Sequence, residues 1–138
     1  MSTKANSIYI NLPVKDLNKT REFWTALGFS FNEKFCDNNA ICLILNEGII
    51  YAMLLKNEFF QTFTHRPVSD SSTTQVIIAI DVESREKVDE IVKLALENGA
   101  SRYREPADHG WVYYDSFADP DGHQWEVMFA DESQIPQQ

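Results

Sequence analysis

The sequence is poor in the residues that mark specialised folds. Its 138 residues include two cysteines, three histidines, five glycines and five prolines. Cys36 and Cys42 form neither a zinc-type spacing nor a disulfide scaffold, which favours a reducing compartment. No apolar run approaches the roughly 18 residues that a membrane-spanning helix needs, and the N-terminal residues lack the pattern of a secretory signal. We therefore expect a cytoplasmic protein that has no membrane partner.

Positive charge is also scarce. Twelve lysines and arginines face 21 aspartates and glutamates, so the formal net charge is −9. A molecule of this charge repels polyanions, which argues against nucleic acid as a partner. The motifs G-x-x-x-x-G-K-S/T, G-x-G-x-x-G, G-x-S-x-G and H-E-x-x-H do not occur, which sets nucleotide-binding and serine-hydrolase chemistry aside.

The composition that remains is that of one ordinary globular domain, with 43% hydrophobic and 24% charged residues. A chain of this length buries roughly two-thirds of its unfolded surface. It therefore holds a core without disulfides or a structural metal.

The first half of the chain predicts one strand, one helix and three further strands. The apolar run 8–14 has the β-branched and aromatic character of a strand. Asp16 is placed to cap a helix over 17–27, which Gly28 ends. Turn-forming residues then separate three extended segments, at 29–35, 40–45 and 49–55.

The second half repeats this order. A strand over 75–82 is followed by Ser84, a suitable N-cap for a helix that runs to Asn98 and ends at Gly99. Three extended segments follow, at 101–104, 111–117 and 123–129. The last two are joined by Asp119-Pro120-Asp121-Gly122, the chemistry of a type I turn.

The repeated order predicts an α+β fold of two βαβββ modules. Alternate residues of each strand share a face, so curled mixed sheets would direct one set of side chains toward a cavity. We place module 1 at about 7–55, a linker at 56–74, module 2 at about 75–130 and a frayed tail at 131–138, all within one domain over 1–138.

Two segments resemble a known superfamily. One is the opening run Ile10-Asn11-Leu12-Pro13-Val14-Lys15-Asp16-Leu17, which is followed by Phe23-Trp24 and Leu27-Gly28-Phe29. The closing run from Phe117 to Glu126, which contains D-P-D-G-x-x-x-E, is the more specific one. Together with the paired βαβββ pattern, they resemble the vicinal oxygen chelate superfamily, which contains glyoxalase I, bleomycin-resistance proteins and extradiol dioxygenases. The resemblance covers the chain from Ser7 to Ala130.

The resemblance implies a divalent metal held by His or Glu on the first, fourth, fifth and eighth strands. Glu126 supplies the last of these ligands. The matching positions elsewhere are Tyr9 with Asn11 next along the same face, Met53, and Ile77 or, with a shifted register, Gln75. Three of the four positions therefore lack a usual ligand, and we predict no cofactor, with Glu126 as a metal ligand only if a metal binds.

Glu126 is the predicted catalytic residue, because a carboxylate facing a cavity is a candidate base or hydrogen-bond acceptor. The alternative is a strand carboxylate that faces water or pairs with an arginine. The predicted ligand-binding residues lie on the strand faces that the resemblance turns inward, and for each of them ordinary strand packing is the alternative. They are Tyr9, Asn11, Met53, Trp111, Tyr114 and Ser116.

Two further features have a functional and an ordinary interpretation. His109, in a loop before a strand, could act as an acid or base, although a loop histidine is more often simply exposed. Phe59, Phe60 and Phe63 could form an apolar lid with Trp111, and core or dimer packing explains them equally well.

We predict a protein of the glyoxalase/bleomycin-resistance type that binds or transforms a small organic ligand, with an incomplete metal site. A homodimer is expected, because members of the superfamily commonly pair their modules between subunits. One alternative is a metal-dependent lyase of the lactoylglutathione-lyase kind, or a glutathione or thiol transferase. Another is a non-enzymatic regulatory or partner-binding module.

Overall fold

The computed structural model describes residues 2–136, and the chain divides into two compact units between Val68 and Ser69. The first unit contains β1 (Ile8–Val14), α1 (Leu17–Ala26), β2 (Ser30–Phe31), β3 (Ala40–Asn46), β4 (Ile50–Lys56) and α2 (Asn57–Phe60). The second contains β5 (Ile77–Asp81), α3 (Arg85–Glu97), β6 (Ala107–Asp108), β7 (Val112–Ala118) and β8 (Gln124–Ala130).

Each unit has one mixed four-stranded sheet. The strand order is β1-β4-β3-β2 in the first sheet and β5-β8-β7-β6 in the second. In both, the first strand runs parallel to the fourth, and all other neighbours are antiparallel. The predicted α+β fold of two βαβββ modules is thus confirmed, with two open sheets.

Helix α1 begins where the sequence predicts. The Asp16 carboxylate accepts a hydrogen bond from the backbone nitrogen of Lys19 at 3.1 Å, a capping bond that typically contributes about 1 kcal/mol. Phe23 and Trp24 are buried, and Trp24 meets the ring of Phe29 edge to face at 5.5 Å. The core of the first unit therefore lies between α1 and one face of its sheet.

Helix α3 is built in the same way. The Ser84 hydroxyl accepts from the backbone nitrogen of Lys87 at 3.0 Å, and the apolar stripe of the helix packs on β7 and β8. Trp125 and Val127 of β8 are fully buried on this side of the sheet. The buried residues of the stripe are those that the sequence predicts, namely Val88, Ile91, Val92 and Ala95.

Two predicted strands are wrong in extent. The segment 29–35 contributes only Ser30 and Phe31 to the sheet, because the Asn32 side chain then accepts from the backbone nitrogen of Lys34 and starts a 3₁₀ turn. The segment 101–104 is not a strand. Ser101 alone bridges to Ala118, and the short strand β6 forms after Pro106 instead.

The predicted linker is divided between the two units. Residues 57–63 form α2 and a 3₁₀ turn in the first unit. In the second, the Thr74 hydroxyl donates to the side-chain oxygen of Gln124 at 2.8 Å. That the two units make up one domain stays a prediction.

Within the predicted tail, Glu132–Gln134 form a 3₁₀ turn. The Asp131 carboxylate accepts hydrogen bonds from Ser133 and Gln134, so this part of the tail has local structure. Residues 137 and 138 lie outside the described range. Between residues 2 and 136, no helix has both the length and the apolar character needed to cross a membrane.

Candidate functional site

The middle of the second sheet carries Glu126. Since Trp125 and Val127 face α3 and side chains alternate along a strand, Glu126 lies on the opposite face. The sheet register pairs Glu126 with Ser116 of β7 on one side and with Ala79 of β5 on the other. The structure therefore places a serine directly beside the carboxylate, as the resemblance implies.

Tyr114 shares this face two residues along β7 from Ser116. Its hydroxyl accepts a hydrogen bond from Nη2 of Arg104 at 2.8 Å, and the guanidinium lies over its ring at 5.1 Å. The other terminal nitrogen of Arg104, Nη1, is 3.6 Å from Oε2 of Glu126. The side chains of Glu126 and Arg104 are 22% and 52% exposed, so the pair is accessible to a small molecule. A carboxylate, a phenol and a guanidinium thus meet at one place.

Two further hydroxyl groups belong to this cluster. The Ser116 hydroxyl donates to the backbone oxygen of Arg104 at 3.4 Å, and the Tyr103 hydroxyl donates to the backbone oxygen of Trp125 at 3.5 Å. Burial raises the pKa of Tyr103, and the negative charge of Glu126 adds to the rise. The Tyr103 phenol therefore keeps its proton at neutral pH and remains a hydrogen-bond donor.

His109 lies at the margin of the cluster. Its ring is 5.9 Å from the ring of Tyr114, and its backbone nitrogen donates to the Val112 oxygen at 2.9 Å. Arg85 of α3 fixes this loop by donating to both carboxylate oxygens of Asp108, at 2.6 and 3.1 Å, and to the backbone oxygen of Gly110 at 3.0 Å. The Arg85 guanidinium lowers the pKa of Asp108, so the clamp is charged at neutral pH. His109 itself is exposed, and its role as an acid or base stays a prediction.

The candidates of the first unit also share one face of their sheet. Tyr9 stacks on Tyr51, with the ring centroids 4.8 Å apart and an interplanar angle of 11°. Asn11 is paired in register with Met53, and its Nδ2 atom donates to the backbone oxygen of Tyr9 at 3.3 Å. Tyr9 and Asn11 are exposed and Met53 is half-buried. The structure brings these three together, and their part in ligand binding stays a prediction.

The contacts of the predicted lid residues do not test whether these residues form a lid. Phe59 and Phe63 meet edge to face at 5.1 Å in the first unit. Trp111 belongs to the second unit, is half-buried, and its backbone oxygen accepts from the Asp131 nitrogen at 2.7 Å. A lid formed by these residues stays a prediction.

The two cysteines are free thiols in the first unit. The Cys36 sulfur donates to the backbone oxygen of Asn32 at 3.3 Å. Cys42 is completely buried, and this burial raises the pKa of its thiol. Because the thiolate is the reactive form, Cys42 is a poor candidate nucleophile.

A cleft of about 520 Å³ lies on the helix side of the second sheet. Three of its charged groups already have partners, since Arg102 donates to both oxygens of Asp115 and the Asp89 carboxylate accepts from the Tyr113 hydroxyl. The sheet separates this cleft from Glu126. The cleft is lined by Asp89, Lys93, Leu96, Glu97, Arg102 and Asp115.

Comparisons with known proteins give the class to which this fold and site belong. The family model described as the Glyoxalase/Bleomycin resistance protein/Dioxygenase superfamily matches residues 7–127. The chain therefore belongs to this superfamily, and the resemblance drawn from the sequence is confirmed. A comparison with curated proteins found no match.

Several solved structures are similar to this chain. Hypothetical protein SA1046 from S. aureus is 28% identical, with a TM-score of 0.78 over 93% of this chain and 96% of that one. A glyoxalase-related enzyme from Fulvimarina pelagi is 22% identical, with a TM-score of 0.74 over 88% and 85%. A bleomycin resistance determinant encoded on the transposon Tn5 is 19% identical, with a TM-score of 0.62 over 92% and 99%. The last two likenesses support the fold alone.

The residues around Glu126 do not fit the divalent metal that the resemblance implies. A first-row metal needs several imidazole, thiolate or carboxylate donors that act together. The neighbours of Glu126 in its sheet row are Ala79 and Ser116, and the charged group that faces it is Arg104. Over residues 2–136, no three His, Cys, Asp or Glu side chains are grouped so that they could hold a metal.

Sequence reasoning missed Arg104 and Tyr103. Neither belongs to a recognisable motif, and both lie in the segment 101–104 that was predicted as a strand. What places them near Tyr114 and Ser116 is the single bridge between Ser101 and Ala118, and the sequence carries no signal of that contact.

Proposed function

We propose that this protein binds a small organic molecule on the face of the second sheet that carries Glu126. The observation that supports this most is the meeting of Glu126, Arg104 and Tyr114 on one accessible face, with the buried Ser116 beside Glu126. A few convergent polar groups beside aromatic rings are typical of small-molecule sites. The proposal is the one that the sequence predicts, with Arg104 added.

Glu126 is the centre of the proposed site. Its carboxylate accepts hydrogen bonds from a ligand, and if the ligand is transformed, it is the group placed to accept a proton. Tyr114 orients the ligand through its hydroxyl group, and Ser116, which is buried beside Glu126, is proposed as a further contact. Tyr9, Asn11, Met53 and Trp111 are proposed as further ligand contacts, and the exposure of Tyr9 and Asn11 supports this for β1.

A homodimer is part of the proposal. Strands β1 and β5 are at sheet edges, and apolar side chains on or beside them are exposed. Exposed apolar edge strands promote pairing with another chain, and a specific dimer satisfies them. The exposed fractions are 52% for Ile8, 47% for Tyr9, 55% for Val76 and 48% for Ile77. Sedimentation of the purified protein tests this, with the mass of a dimer as the expected result.

We also propose a cytoplasmic location. Its support is the pair of free thiols, which persist in a reducing compartment. Fractionation of the producing cells is the corresponding measurement, and enrichment outside the cytoplasm would contradict it.

The test of the site is the variant Glu126→Gln, which keeps the shape of the side chain and removes its charge. A library of small fragments is screened by amide chemical shifts, and those that perturb Tyr114, Ser116 and Glu126 are retained. We expect these fragments to bind Glu126→Gln at least about tenfold more weakly. The matched control is Glu97→Gln, an exposed carboxylate on α3 at the cleft, which should leave their binding unchanged.

Two results would overturn the proposal. One is that no fragment perturbs this face, or that binding is the same in Glu126→Gln and wild type. The other is metal analysis that finds stoichiometric Ni²⁺ or Zn²⁺ in protein purified without chelator, together with turnover of methylglyoxal and glutathione. The second result would favour a metal-dependent lyase in place of the proposed function.

A further inference from the structure

Arg104 has hydrogen-bonding capacity that the fold leaves unused. A guanidinium carries five N–H donors in a fixed plane. For this side chain, the contacts found within residues 2–136 are one hydrogen bond, from Nη2 to the Tyr114 hydroxyl, and the 3.6 Å approach of Nη1 to Glu126. That approach is too long for a hydrogen bond. Most donors of a half-exposed cation are therefore free to meet a ligand.

The Tyr114 ring holds the guanidinium in place. Its ring lies 5.1 Å from the guanidinium carbon while its hydroxyl accepts from Nη2. Stacking together with a hydrogen bond limits the rotation of the planar group, which lowers the cost of ordering it when a ligand binds. Because Ser116 also binds the Arg104 backbone oxygen, both ends of this residue are tied to β7.

The charges at the site select among anionic ligands. Arg104 supplies one positive charge beside the negative charge of Glu126, and Asp81 is an exposed carboxylate in the same sheet row as Tyr114. A dianion such as a phosphate would add two negative charges here. A monocarboxylate adds only one negative charge, and its two oxygens can accept two parallel hydrogen bonds from a guanidinium. A hydrogen-bond donor next to the ligand's carboxylate would bind the Glu126 carboxylate and reduce the repulsion between the two groups.

We propose that Arg104 is a ligand-binding residue and that the ligand is a small monocarboxylate with a hydroxyl group on the adjacent carbon. The carboxylate binds the free donors of Arg104, and the hydroxyl donates to Glu126. This inference rests on the proposed function, and it adds a residue and a ligand class to the same site. In this proposal the positive charge that faces the ligand is the Arg104 guanidinium and not a metal ion.

Three related probes test the proposal by amide chemical-shift titration, read at Tyr114, Ser116 and Glu126. Mandelate carries the carboxylate and the adjacent hydroxyl, mandelamide lacks the charge, and phenylacetate lacks the hydroxyl. For wild type we expect mandelate to bind at least about tenfold more tightly than mandelamide. Phenylacetate should bind at least about tenfold more weakly than mandelate, and this difference should shrink in Glu126→Gln, because a neutral amide oxygen is a weaker acceptor than a carboxylate.

Substitutions of Arg104 test how much its guanidinium contributes to the binding of the carboxylate. Arg104→Gln should remove the preference for mandelate over mandelamide, whereas Arg104→Lys should keep part of it, because a charge without the planar fork remains. The matched control is Arg66→Gln, an exposed arginine of the first unit, which makes the same change in net charge. Retention of the wild-type amide spectrum elsewhere shows that each variant is folded.

The outcomes separate this inference from the proposed function. If mandelamide binds wild type as tightly as mandelate, or if Arg104→Gln keeps the preference, the carboxylate proposal fails and the small-molecule site stands. Loss of the preference in Arg66→Gln also overturns it, because a general charge effect would then explain the result. If neither these probes nor any library fragment perturbs the face, both proposals fail.

Discussion

The two sheets have the same strand order and differ in where their polar groups lie. In the first, the ion pair between Arg21 and Glu33 is exposed, at 34% and 69% of the two side chains. In the second, Asp115 and Asp119 are buried, and their carboxylates accept hydrogen bonds from Arg102 and Trp125 respectively. Ser116 is buried as well. A repeated topology thus supports two apolar cores, of which the second also contains buried carboxylates with hydrogen-bond partners. The shared strand order therefore sets where the side chains lie, whereas the identity of each side chain determines whether a buried position is apolar or carries a charge.

The largest expected loss of stability comes from a substitution at the turn between β7 and β8. Asp119 is buried, and its carboxylate accepts from the backbone nitrogens of Asp121 and His123 and from the indole nitrogen of Trp125 at 3.1 Å. Asp119→Ala leaves the buried indole without this partner, and we expect the free energy of unfolding to fall by about 3 kcal/mol. Urea denaturation measures the change.

The control for that prediction is the corresponding turn of the first sheet. Asn46 is the exposed last residue of β3, at the turn that leads to β4, so Asn46→Ala should cost less than about 0.5 kcal/mol. Equal losses in the two variants would show that the turns are equivalent and would remove the contrast between the units.

The next effect compares the two arginine–carboxylate pairs. Arg102 donates to both oxygens of Asp115, whose side chain is 4% exposed. Arg102→Met leaves a buried carboxylate without its cation and should destabilise the protein by about 2 kcal/mol, a value reduced because Arg102 is itself partly exposed. Arg21→Met breaks an exposed pair and should cost less than about 0.5 kcal/mol. Thermal or urea unfolding of both variants decides this, and a larger loss for Arg21→Met would contradict it.

Two glycines with positive φ give a smaller contrast. Gly122 and Gly48 have φ angles of 88° and 82°, and an added Cβ would lie 2.6 Å from Ser71 Cβ at Gly122 and in open space at Gly48. Gly48→Ala should therefore cost only the backbone strain, about 1 kcal/mol. Gly122→Ala should cost about 1 kcal/mol more, because Ser71 must move.

Ser71→Gly checks the cause of that difference. It removes the atom that the new methyl group would meet, so the extra loss in Gly122→Ala should shrink when both changes are combined. If the double variant shows no coupling, the steric explanation is wrong.

The smallest expected effect on stability comes from the ionisation of the Tyr113 hydroxyl. The Asp89 carboxylate accepts from the Tyr113 hydroxyl and raises the pKa of Tyr113 to about 12, whereas Tyr51 of the first unit accepts from the backbone nitrogen of Gly48. Asp89→Asn should bring the Tyr113 pKa back toward about 10. The pair stabilises the fold below the unfolded pKa, and this contribution is lost as the pH rises toward 12. Phenolate absorbance follows the titration, with Glu90→Gln as control. An unchanged Tyr113 titration in Asp89→Asn would contradict the assignment.

The sequence predicts the regular parts of the fold because local chemistry determines them. Asp16 and Ser84 cap their helices as expected, and the short turn at Asp119–Gly122 fixes the register of β7 against β8. Once that register is fixed, the alternation of side chains places Ser116 beside Glu126. This part of the candidate site was therefore within reach of sequence reasoning.

Arg104 was out of reach for a physical reason. Its segment has no regular structure, and its position depends on the bridge between Ser101 and Ala118 and on the ion pair between Arg102 and Asp115. Contacts between residues distant in sequence leave no periodic pattern. The side chain that changes the chemistry of the site most was thus the hardest to predict.

The parallel pairing of β5 with β8 also affects the order in which the unit is assembled. Strand β8 is a central strand, and it is the last strand of the second sheet to be synthesised. Until it emerges, β5 has no neighbour in its own sheet and its apolar residues stay uncovered. Pairings across so long a stretch of chain form slowly. Because β8 carries Glu126, the residues of the candidate site are all present only at the end of translation of this unit, after α3 and β7 have been synthesised.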